Sequence, residues 1–133
     1  MFRLLTVLCL VALSAAAQER REVDLELVLL ADSSGSITND EIRFQREGYA
    51  RAILDPDVLS AIANTAYGSV ALTYAEWGQF DSMDVVVPWI IVAGQREAET
   101  FAATILSAPR KARGRNAIGQ ALIFGRDLIE TND

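Results

Sequence analysis

The stretch "VDLELVLLADSSGSITNDE", residues 23–41, confines the fold more tightly than any other part of the chain. It begins by alternating and becomes continuously apolar through Ala31, as a central strand buried on both faces does. At Asp32 the apolar run stops. Small residues follow, and Thr38 then stands three places before Glu41, the spacing of a capping box that opens a helix. A buried strand that leads through a short turn into a helix belongs to the α/β class.

The rest of the chain continues that alternation. A helix is predicted over 39–54, with Ile42, Tyr49, Ala52 and Ile53 on its inner face. Asp55-Pro56 stops it and caps a short second helix carrying Val58, Leu59 and Ile62, because proline suits a first helical turn. "GSVALTYAEW" (68–77) and "MDVVVPWII" (83–91) read as strands joined in an antiparallel hairpin. Pro88 cannot donate a ladder hydrogen bond, which puts the second of them at the sheet edge. Ala98, Phe101, Ala102, Ile105 and Leu106 follow the spacing of an amphipathic helix. After a basic loop, "APRKARGRN", a last helix over 117–130 is expected to bury Ile118, Ala121, Leu122, Leu128 and Ile129. Strands alternating with helices make a sheet covered on both faces. Ligands of such sheets bind at the carboxyl ends of the strands, where the serine turn lies.

The first seventeen residues do not read as part of this fold. Arg3, the apolar run from Leu4 to Val11, and the small residues Ala15 and Ala17 have the layout of a signal peptide cleaved after Ala17. The alternative, a membrane anchor, is disfavoured by the shortness of the run. The single cysteine, Cys9, lies inside this leader, so the exported chain would have no thiol for disulfides or metal. A formal net charge of −6 makes nucleic acid and anionic membranes poor partners. The chain has no histidine, which excludes a Ser-His-Asp triad, a His-ligated zinc and imidazole acid–base chemistry. An enzyme is not expected.

Asp32, Ser34 and Ser36 are hard oxygen donors at alternate positions, suited to magnesium, manganese or calcium. A capped helix start explains the same residues without any ion. A phosphate loop would require a Gly-Lys-Ser/Thr ending, and an aspartyl-phosphate hydrolase a second acid where Ser34 stands. "LVLLADSSGS" resembles the Asp-x-Ser-x-Ser adhesion-site motif of von Willebrand factor type A domains. "DEIRFQREGYARAILDPDVLSAI", "ALTYAEW", "VVVPWIIV" and "GRNAIGQAL" are similar, in order, to a bacterial group of exported A-domain-like proteins, the domain-of-unknown-function family eleven ninety-four.

The resemblance implies a doubly wound, Rossmann-like sheet with a divalent cation at its top, shared with a carboxylate of a protein partner. Asp32, Ser34 and Ser36 carry over directly, and Asn116 stands where the second loop of A domains has threonine. No residue carries over for the aspartate of their third loop, because the sequence reaches Asp133 first. The domain, residues 18–133, is therefore expected to lack its last strands, to bind Mg2+ or Mn2+ weakly, and to self-associate through an open edge of its first strand. The function expected is that of an exported binding module, periplasmic or secreted. A metal-free scaffold with a degenerate site comes second, and a metal-assisted hydrolase using Asp32 and Glu76 third. Glu76 at a strand end is read as solvated, Trp77 as cover for the core edge, and the run Arg110, Lys111, Arg113, Arg115 as a solvated loop. "QREGY" (45–49) is given no role beyond packing.

Overall fold

The computed structural model describes residues 21–132, so the leader lies outside the described residues. Three strands and four helices follow in the order β1 (Leu25–Asp32), α1 (Asn39–Leu54), α2 (Pro56–Ala63), β2 (Val70–Trp77), β3 (Met83–Val92), α3 (Gln95–Ser107) and α4 (Ile118–Glu130). Among the described residues the sheet has the order β1-β2-β3. β1 runs parallel to β2 and β3 antiparallel to it. The α/β class expected from the sequence holds.

The side-chain alternation of the strands assigns the two faces. Leu29 and Ala31 of β1 share a face with Leu72, Tyr74 and Glu76 of β2, by the parallel register. α1 and α3 cover that face and supply Ala50, Ile53, Phe101 and Ile105 to the core. Tyr49 of α1 meets Tyr74 edge-on, with ring centroids 5.1 Å apart. α4 lies against the opposite face, where Gly125 lets it approach the Leu30 side chain and Trp89 Nε1 donates to the Leu128 carbonyl at 3.3 Å.

α1 begins and ends where its signals place it. The Thr38 hydroxyl accepts from the Glu41 amide, and the Glu41 carboxylate accepts in return from the Thr38 amide. Asp55 then caps α2 by accepting from the Asp57 amide at 2.8 Å. β3 is an edge strand, as Pro88 requires, and it is irregular: two residues, Pro88 and Trp89, stand opposite Thr73, and Val86 is a second extra residue.

Four expectations about burial need correction. β1 is not buried on both faces, since Leu25 and Leu27 are exposed, although among the described residues it does form the open edge of the sheet that was expected. In α1, Ala52 faces solvent, and Arg46 and Ala50 take the inner positions. α4 buries only Ala121 and Gly125, while Ile118, Leu122 and Ile129 stay exposed and Leu128 is half-buried. α3 keeps Ala98, Phe101, Ala102 and Ile105 inside but turns Leu106 outward.

Candidate functional site

The turn after β1 is held in shape by its own first acid. Asp32 Oδ1 accepts from the Ser34 amide at 2.7 Å, which folds the chain back over the strand end. Ser34 and Ser36 then bring their hydroxyl oxygens to 3.4 Å from each other. Asn116, 84 positions along the chain, reaches the same place and donates from Nδ2 to Asp32 Oδ2 at 3.0 Å. The four predicted site residues therefore converge. Ser34, Ser36 and Asn116 line a shallow depression of about 430 Å³ together with Gly35, Gln79, Gly114 and Arg115.

Asn116 arrives there on the segment between α3 and α4, which crosses the carboxyl ends of β1 and β2 as a strap. Gly35 donates its amide to the Gly114 carbonyl at 2.7 Å, and Gln79 donates to the Arg113 carbonyl at 2.8 Å. Ala117 N–H reaches the Gly78 carbonyl at 3.0 Å. Two glycines make this closeness possible. A Cβ on Gly78 would lie 2.1 Å from the Arg113 carbonyl oxygen, and Gly114 has φ +88.

The basic run is more than a solvated loop. Arg110 donates to the Ser33 hydroxyl and carbonyl, to the Ser34 carbonyl, and to Asn39 Oδ1, all at 2.8–3.0 Å. Lys111 pairs with Asp84 at 3.2 Å. Arg113 and Arg115 do extend into solvent.

Glu76 corrects the sequence reading most sharply. It is not solvated; it is fully buried, and the nearly buried Arg46 grips it through two nitrogens at 2.7 and 2.9 Å. Tyr74 donates its hydroxyl to the same carboxylate at 3.2 Å. Burial, followed by the adjacent Glu76 charge, pushes the Tyr74 phenol well above its usual range. Arg46 also donates to the Ala108 and Pro109 carbonyls, where the strap begins. Burial opposes the Arg46 charge, but its bonds to Glu76 prevail and hold its pKa above the ordinary value. "QREGY" thus contributes the partner of a buried acid. The available signal was a lone glutamate in a strand otherwise without charge, which demands a cation from elsewhere. Trp77, as expected, is buried at the edge of the core.

The donors gathered at this turn have the chemistry of a divalent-cation site. One carboxylate, two hydroxyls and one amide group meet at a sheet end, and all can offer oxygen, the ligand type that magnesium and manganese prefer. These residues fit such an ion. Among the described residues no cluster of three or more His, Cys, Asp or Glu side chains could hold a metal, and of the four residues that meet here only Asp32 brings a carboxylate. Such a site is weaker than one with several carboxylates.

Among the described residues no helix is long and apolar enough to cross a membrane. A search of curated proteins found no match. Residues 22–133, the strand, the serine turn, the strap and α4 included, match the family described as "Protein of unknown function (DUF1194)", and the chain belongs to that family.

Proposed function

We propose that the protein is an exported binding module, periplasmic or secreted, that uses a divalent cation to engage a carboxylate-bearing protein partner. Asp32, Ser34, Ser36 and Asn116 would hold Mg2+ or Mn2+. When bound, the ion supplies an open coordination position for an acidic side chain of the partner. The fold is compatible with the von Willebrand A-type arrangement that this reading borrows. The observation that carries it is the meeting of Asn116 with Asp32 at 3.0 Å across 84 positions, beside two converging hydroxyls. A helix cap alone would need no such long-range partner.

A metal-free scaffold is the second reading. It is favoured by the same hydrogen bonds, because the Asp32 carboxylate is already satisfied by the Ser34 amide and the Asn116 amide group. The hydrolase reading is weakened, since Glu76 is committed to Arg46 inside the core. Titration of Mn2+ into the protein, followed by calorimetry, decides between the first two. Weak binding is expected, lost in Asp32→Ala and tightened in Asn116→Thr, which replaces an amide by a short hydroxyl. Equal binding by Asp32→Ala and the parent would reduce the serine turn to a helix cap. No binding by either would favour the scaffold.

A further inference from the structure

We infer that Arg110 is the positioning residue of the serine turn, holding it in the shape that brings Ser34 and Ser36 together. The inference rests on the cation reading above for its consequence, but its geometry stands apart from it. All three guanidinium nitrogens are engaged. Nε meets the Ser33 hydroxyl at 3.0 Å, Nη1 meets Asn39 Oδ1 at 3.0 Å, and Nη2 meets the Ser33 and Ser34 carbonyls at 2.8 and 3.0 Å. A planar fork can hold hydroxyl and carbonyls in one geometry, which a lysine ammonium on a flexible stem cannot reproduce.

Arg110 is itself held from below. The two residues before it, Ala108 and Pro109, offer their carbonyls to Arg46, and Arg46 is fixed by the buried Glu76. A connected line of bonds therefore runs from Tyr74 through Glu76 and Arg46 to the start of the strap, and through Arg110 to the turn. On the turn's other side, the Gly35 amide is bonded to the Gly114 carbonyl of the same strap. The strap grips the turn at both ends of the Ser33–Gly35 segment.

Charge and position make opposite forecasts. A guanidinium beside a cation site repels the cation, so by charge alone removing Arg110 should tighten binding. As a positioning residue, its removal should weaken binding, because supporting residues around metal ligands typically govern affinity by about 10–100-fold. Mn2+ calorimetry on the whole chain, combined with amide exchange of Ser34 and Gly35 followed by NMR without metal, separates them. Arg113→Gln, which removes an equal charge from the exposed part of the loop, serves as the charge control. Arg110→Gln is expected to bind Mn2+ about tenfold or more weakly and to exchange its Gly35 amide faster. Arg110→Lys, which keeps charge and bulk should the glutamine variant fail to fold, is expected to show the same two changes. Mn2+ binding as tight as the parent's in both Arg110 variants, or an unchanged Gly35 exchange rate, would overturn the inference. If the parent itself gives no Mn2+ heat, the cation reading falls separately. Gly35 exchange then decides alone: acceleration retains the positioning role, and no change removes it.

Discussion

Removing either member of the Arg46–Glu76 pair leaves a charge buried without its counter-charge. Both side chains are nearly or wholly inaccessible to water. Breaking such a pair from one side costs about 3–5 kcal/mol, whereas replacing both members with apolar residues of similar volume is often neutral. Arg46→Met is therefore expected to lower unfolding free energy by about 3–5 kcal/mol in urea denaturation. The double variant Arg46→Met, Glu76→Leu is expected to recover most of that loss. A double variant as unstable as the single one would mean that the bonds from Arg46 to Ala108 and Pro109 matter more than the charge pair.

The helices differ in how completely their own sequence specifies them. α1 has a start signal and a stop signal within the chain, and Thr38, Glu41 and the Asp55-Pro56 pair place its ends without help from packing. The bonds from the Thr38 amide and hydroxyl hold the Glu41 carboxyl below its usual value. Its contribution is present above the ordinary glutamate value of 4.5 and is lost as pH falls through the lower folded value. Thermal melts of the parent and Glu41→Gln should thus differ at neutral pH and converge in acid. Thr38→Ala should cost about 1 kcal/mol at neutral pH. α4 has no side-chain cap, and its apolar residues fit two faces. Spacing alone could not choose between them; the choice is made by the closeness that Gly125 permits against Leu30. The same limit explains the site. Asp32, Ser34 and Ser36 could be read because they are neighbours in one turn. Arg110 and the Arg46–Glu76 pair could not, because 76 or 77 positions separate Arg110 from the turn and 30 separate the pair. Only the folded sheet brings these groups together.

The sheet as a whole has two unlike borders. Among the described residues β1 presents Leu25, Leu27 and a backbone without a neighbouring strand on its outer side, and Glu26 is its only charge before Asp32. Open apolar edges invite pairing with another chain. Sedimentation velocity over a range of concentrations should show association of the protein, reduced in Leu27→Lys; a monomer at all concentrations would show that the edge is protected. β3, by contrast, carries Pro88, which has no N–H to give, and two extra residues that disturb its ladder. A strand so interrupted makes a poor template for a neighbour. With the sheet of the described residues, growth is then expected from the β1 border only. Two chains joined β1 to β1 around a twofold axis would each use up their one receptive border, and nothing would be left to recruit a third. The irregular β3 thus works as a chain terminator: the expected end state is a closed pair, not a fibre.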